Sequence, residues 1–189
     1  LKIIEREADD FDERAVEAHL ASLPKQPPET DHAAAAGCPA ANVDMLTPLS
    51  SCQPSTLPAG HASALSHWPV QIRLVPPTAP FLKGAELLVL ADCVPVAFPT
   101  LHRDFLEGKA VMMGCPKFDD AQSYIDKFAQ IFKTAGIKNV TIVVMEVPCC
   151  SGLPTIVRKG LEASGQTIPV EEIVVSTKGA ILSRAAAIN

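Results

Sequence analysis

Residues 139–157, NVTIVVMEVPCCSGLPTIV, decide how the rest of the chain is read. The run from Val140 to Val147 is dominated by β-branched and apolar side chains, the pattern of a strand buried on both faces of a parallel sheet. Pro148 ends it, and two adjacent cysteines, Cys149 and Cys150, follow. Ser151-Gly152 then opens a helix with Pro154 in its first turn, where a missing N–H costs nothing. The reading therefore places two thiols at the carboxyl end of a strand, facing the amino end of a helix. Open α/β sheets bind their ligands there, and a helix amino terminus favours thiolate over thiol.

Two upstream segments repeat the arrangement. AELLVLADC is a buried strand running out into Cys93, and AVMMGC is a shorter one ending in Cys115. Between them FPTLHRDFL (98–106) reads as a short helix or turn. Asp119 or Asp120 caps a helix over about residues 121–135, whose Tyr124, Phe128, Ile131 and Phe132 make one apolar stripe. Gly136 closes it. A helix over 153–164 with Gly165 behind it and a last strand over 170–176 follow, then a short tail, KGAILSRAAAIN. WPVQIRLVPP (68–77) reads as an edge strand or extended arm, since its prolines exclude a central position. Strands alternating with helices predict an α/β protein, a small doubly wound, Rossmann- or flavodoxin-like parallel sheet preceded by an extended Pro-rich arm. No GxGxxG or GxxxxGK[ST] follows any strand, which removes the main support for dinucleotide and P-loop readings.

The amino-terminal third has another character. Residues 1–23 contain a strand-like LKII and an acidic helix from Asp9 or Asp10 carrying Phe11, Val16 and Leu20. The first residue is Leu, and LKIIERE reads as an element already under way, so the chain is expected to be part of something longer. Residues 24–66 are rich in Pro, Ala, Ser and Thr without a period of 2 or 3.6, the composition of a linker or draped arm. Residues 67–189 then form the cysteine-bearing α/β domain. An arm of that length can wrap a neighbouring subunit, which leaves room for a homodimer.

Across 189 residues, 48% hydrophobic and 20% charged content describes a globular protein with a real core. The net charge of −5 carries no basic footprint, which argues against nucleic acid as a partner. No apolar run reaches membrane-span length, and the first 20 residues are too acidic for a signal peptide. Six cysteines without secretory cues point to metal or redox chemistry in a reducing compartment, so a cytoplasmic location is expected.

If the three cysteine-bearing strands are neighbours, their carboxyl ends lie about 5–10 Å apart, and Cys93, Cys115, Cys149 and Cys150 converge on one sheet edge. Thiolates so close repel unless a cation or an iron–sulfur core neutralises them; zinc takes four such ligands, and so does a cubane cluster. Any one of these cysteines is equally well read as a small buried hydrophobe. Four at the ends of successive strands is the pattern that argues for a site. Successive side chains in extended backbone point to opposite faces, so Cys149 and Cys150 are not both expected to reach one metal. Cys38, in the arm, and His102 are the reserve ligands. Glu146 is expected to pair with a cation such as Lys117, and Asp92 to act as an acceptor behind Cys93. No CxxCxxC or CxxC run occurs, so the fold itself must assemble the site.

ADCVPVAF, LHRDFLEGKAVMMGCPKFDD and VMEVPCCSGL together resemble the carboxyl-terminal region of a family of ferredoxin-like iron–sulfur proteins of anaerobic bacteria and archaea. In that family two [4Fe–4S] motifs precede a Pro-rich connector with a GCP element, matched here by Gly37-Cys38-Pro39. The resemblance covers about residues 1–180 and implies an anaerobe's cytoplasmic redox protein with Cys93, Cys115, Cys149 and Cys150 as residues of interest. The cysteine runs that would hold the two ferredoxin clusters are not in this sequence.

The expected function is electron transfer by an iron–sulfur protein, with a [4Fe–4S] cluster on the strand-end cysteines or zinc as the alternative metal. Its partner would be another redox protein or its own ferredoxin module. Two other readings stand beside it. One is a thiol-based redox or sulfur-transfer enzyme using the vicinal Cys149 and Cys150. The other is a metal-free docking module for a ferredoxin domain.

Overall fold

The structure is a computed structural model that describes residues 42–46 and 63–187, all within the second of the chain's two compact units, Gly37–Asn189. What was expected of the acidic helix, of most of the arm and of Cys38 lies outside the described residues.

A five-stranded sheet carries the domain. In chain order its strands are β3 (Glu86–Ala91), β4 (Ala110–Gly114), β5 (Asn139–Met145), β6 (Val170–Val175) and β7 (Ile181–Ala187). In space they run β4-β3-β5-β6-β7, parallel except for β7. The expected doubly wound α/β fold is what the chain adopts. β3 and β5 lie inside the sheet, and their apolar runs are buried almost without interruption, as strands covered on both faces must be. β6 is half-buried.

Three helices make the crossovers: α1 (Val94–Ala97), α2 (Ala121–Thr134) and α3 (Gly152–Ser164). Asp120 caps α2 as its sequence position predicts, accepting from the Gln122 and Ser123 N–H groups at 3.3 and 2.9 Å. The stripe Tyr124, Phe128, Ile131, Phe132 is the buried one. α2 and α3 lie so close that a Cβ on Gly160 would stand 2.6 Å from Phe128 Cβ. The β3–β4 connection has no full helix. After α1 it continues through a π-turn, His102–Leu106, that buries Phe105 and Leu106. Right-handed crossovers put this connection on one face of the sheet and α2 and α3 on the other.

Two elements differ from expectation. The segment 68–77 contributes only the last residue of β2 (His67–Trp68), which pairs with β1 (Asp44–Met45), and a single parallel bridge from Gln71 to Met113. The remainder is turn, since Pro69, Pro76 and Pro77 lack the N–H groups that a ladder needs. The tail, which has no alternating pattern, is β7. It pairs antiparallel with β6 through a bulge at Val174/Val175 because the open β6 edge supplies unpaired backbone groups.

Candidate functional site

The strand order locates the site before any side chain is considered. From β3 the chain crosses to β4 on one side and then returns to β5 on the other, so the switch point lies between the carboxyl ends of β3 and β5. Ligands of doubly wound sheets bind in that crevice. Cys93 follows β3, and Cys149 and Cys150 follow β5.

Each thiol is held by a local device. Cys93 is the residue before α1, and its carbonyl accepts from Ala97 N at 3.1 Å. α1 in turn touches both β3 and β5. Pro148 ends the extended backbone, and a 3-10 turn, Pro148–Ser151, leads directly into α3. Cys149 and Cys150 therefore do not alternate across a strand, as the extended-chain argument had it. They are successive residues of a turn with three residues per revolution, closed by Cys150 N donating to Val147 O at 3.0 Å. Cys149 is exposed and Cys150 buried. Burial pushes the Cys150 thiol up, against a hydrogen bond from the Met145 backbone; the neighbouring Cys149, through charge and a hydrogen bond, and Cys93, through charge, push it further. Its surroundings thus favour the neutral Cys150 thiol.

Cys115 is one strand from Cys93 and two from Cys149 and Cys150. It follows β4, with β3 between it and β5, and two strand spacings amount to about 10 Å. Its loop is pinned by Asp119, whose N–H donates to Cys115 O at 3.0 Å and whose Oδ2 accepts from Cys115 N at 3.5 Å. The next residue, Pro116, nevertheless reaches the start of α3, with its Cβ 3.5 Å from where a Cβ on Gly152 would stand. His102 is exposed in the π-turn, where its Nδ1 accepts from Ala64 N at 3.2 Å. Among the described residues no three His, Cys, Asp or Glu side chains are gathered into a group that could hold a metal ion. The donor chemistry, soft thiols at helix starts, suits iron–sulfur or zinc, but the side chains as they stand do not close a four-cysteine ligand set.

The carboxylates near the site are engaged elsewhere. Glu146 Oε1 accepts from Thr177 N at 2.8 Å and Thr177 Oγ1 at 3.1 Å, so its partner is Thr177 rather than the expected Lys117. Asp92 Oδ1 accepts from Gln71 Nε2 at 3.3 Å. The turn carrying Thr177 also lies against α1: a Cβ on Gly179, where φ is +81°, would meet Ala97 O at 2.6 Å. This strap across the switch point was missed by sequence reading, for its two ends are 31 residues apart and no local pattern links them. The lock behind Cys115 was missed as well. Tyr124 OH donates to Asp119 Oδ2 at 2.5 Å and passes over Gly114, where a Cβ would collide with the hydroxyl.

A doubly wound α/β domain with a thiol group at its switch point is the class these observations define. Residues 79–189 match the Rossmann-like domain family, and the chain belongs to it. It is similar to an uncharacterized protein of Archaeoglobus fulgidus, 36% identical over 117 residues, which are 62% of this chain and 82% of the relative. No solved structure matches. Among the described residues no helix is long and apolar enough to cross a membrane.

Proposed function

We propose that this protein is a thiol-centred redox protein that binds an iron–sulfur cluster, or zinc in its place, for electron transfer. The observation supporting this reading is topological: β4, β3 and β5 are adjacent, and each runs out into cysteine on the same sheet edge. Cys93, Cys149 and Cys150 would serve as ligands from the switch point, with Cys115 as the fourth, on the loop whose Pro116 reaches α3. A bound cluster would supply one-electron chemistry. The protein contributes burial at Cys150 and backbone N–H groups at the start of α3. The resemblance to ferredoxin-like proteins favours the same reading, with a redox protein or a ferredoxin module as partner. Val96, 90% exposed, and Phe118, 88% exposed, sit three residues beyond Cys93 and Cys115, an apolar rim suited to such a partner.

Metal and acid-labile sulfide measured on protein purified without oxygen test the proposal. About four irons and four sulfides per chain are expected, with a broad visible band, and Cys115→Ser should abolish them. Zinc without sulfide would make the centre structural. Protein with neither metal nor sulfide would sink the reading.

A second reading is favoured by a specific observation: the site holds a protonated, buried thiol beside two exposed ones without a closed ligand set. That is a dithiol arrangement, and it needs no metal.

A further inference from the structure

β4 ends the sheet on one side, and the groups that close its outer edge come from one short segment. Val111 N donates to His67 Nε2 at 2.7 Å, and Met113 N to the Val70 carbonyl at 2.8 Å. In the first of these a side chain stands where a neighbouring strand's carbonyl would be. Beyond Val70 the chain is fixed independently. Ile72 is wholly buried and its N–H donates to Met113 O at 2.9 Å, while the Leu74 and Val75 N–H groups close a turn on Gln71 O. Lys127 Nζ, from α2, donates to the Ile72 and Arg73 carbonyls at 2.8 Å each. Before Gln71 the hold is slighter: across residues 64–70 only His67 and Pro69 are buried. Ala64 N donates to His102 Nδ1 at 3.2 Å, and Ser66 O accepts from Leu46 N, beside β1, rather than from the large sheet.

His67 is the residue on which this closure turns. It is wholly buried and stacked on Phe81, with ring centroids 3.8 Å apart. Its Nε2 accepts from Val111 only while the imidazole is neutral. A second proton would set N–H against N–H and leave a charge in an apolar setting. The Nδ1–H has no hydrogen-bond partner, a cost that opening to water relieves. Charged neighbours do not intervene. Asp44 on β1, Lys83 beyond Phe81, Lys109 before β4, and His102, Arg103 and Asp104 of the π-turn exert no charge effect on it. Burial, against the Pro69 carbonyl, lowers its pKa from 6.5 to about 4.

We propose that residues 63–70 are an acid-released strap over the β4 edge, latched by the neutral His67 imidazole and hinged at Gln71–Ile72. Opening frees the strap from β4 while the sheet stays intact. It bares the Val111 and Met113 N–H groups and the Phe81 ring, the kind of edge on which an added strand can pair. Because the closed state carries the depressed pKa, closure is complete above about pH 6.5 and weakens progressively toward about pH 4. The strap works in this way whether or not the thiols hold a metal.

The test is amide hydrogen exchange by NMR on the isotope-labelled full chain at about pH 7 and about pH 4.5. Rates are corrected for intrinsic exchange and measured again in urea below the unfolding transition. Ile142, inside the sheet on β5, is the reference for global opening. Val111 and Met113 should lose at least about tenfold in protection between the two pH values. At the lower pH they should also exchange at least about tenfold faster than Ile142, with a shallower urea dependence. His67→Gln, which keeps an acceptor but takes up no proton, should abolish the loss with acid, whereas His102→Gln should retain it. No loss of protection in the parent, or Val111 and Met113 exchanging together with Ile142, would overturn the inference. So would an acid response that survives His67→Gln or vanishes in His102→Gln. Circular dichroism identifies an unfolded variant, and the parent measurement then decides alone.

Discussion

His67 is wholly buried, stacked on Phe81 with ring centroids 3.8 Å apart, and its Nε2 accepts from Val111 N at 2.7 Å. Its proton is therefore on Nδ1, which lies toward the Pro69 carbonyl without reaching hydrogen-bond geometry. Desolvation by burial lowers the pKa to about 4, against the ordinary 6.5. Because the folded value is depressed, the unfolded chain binds the extra proton first as pH falls. The stabilisation is complete above about pH 6.5 and is lost progressively down to about pH 4. It is worth on the order of 2 kcal/mol after solvent screening is allowed for. His67→Gln should flatten the difference in urea midpoint between pH 7 and pH 5; an unchanged difference would assign the acid sensitivity to other groups. At Asp119 the sign is that of a carboxylate. The Tyr124 hydrogen bond, then the Cys115 N–H and Arg73, hold its carboxyl below the usual range despite desolvation. Tyr124→Phe should cost about 1 kcal/mol at neutral pH and move the Asp119 titration upward in carboxyl NMR.

Two close approaches between elements set the shape around the site. Gly160 lets α3 settle on α2, since an added Cβ would stand 2.6 Å from Phe128 Cβ and 3.2 Å from Ile125 O. Gly160→Ala should destabilise by about 1–2 kcal/mol by overpacking, although alanine is the better helix former. A denaturant melt that shows a gain would mean the helices can part at little cost. Gly179 combines a left-handed φ of +81° with the Ala97 carbonyl at 2.6 Å from any Cβ. Gly179→Ala should cost about 1–3 kcal/mol and, by displacing α1, should change the reactivity of Cys93 toward a thiol reagent. The same variant should leave Cys115, on the other side of β3, unaffected.

At the scale of the molecule, the core is complete without most of the sulfur. Of the four described cysteines only Cys150 belongs to it; Cys93 and Cys149 are exposed and Cys115 is partly so. Cys93→Ser and Cys115→Ser should therefore keep the urea midpoint within about 0.5 kcal/mol of the parent. Cys150→Ser should cost about 1–3 kcal/mol by placing a hydroxyl in an apolar setting. If Cys93→Ser unfolded the chain, the sheet edge would be structural rather than functional. The two edges of the sheet are protected in different ways. β4 is flanked by the 70–72 segment through Met113, while β7 presents small and polar side chains, with Arg184 beside Glu171 at 3.6 Å.

Much of this was legible in residue order. The buried runs of β3 and β5, the Asp120 cap, the stripe on α2 and the glycines after the helices are local patterns with local physical causes, and a reader of the chain could place them. So were the cysteines at the strand ends, since Pro148 and the switch from strand to helix mark where β5 stops. What residue order left open depended on partners distant along the chain. That the tail is a strand is decided by the open edge of β6, and that Glu146 binds Thr177 is decided by a turn 31 residues away. The arrangement of the thiols was of the same kind. Sequence determined that four sulfurs come to one sheet edge. Only the tertiary structure, by setting β3 between β4 and β5, put Cys93 in the middle with Cys115 on one side and Cys149 and Cys150 on the other, and made Cys150 the buried member, because the order of strands in space, rather than in sequence, decides which ends are neighbours.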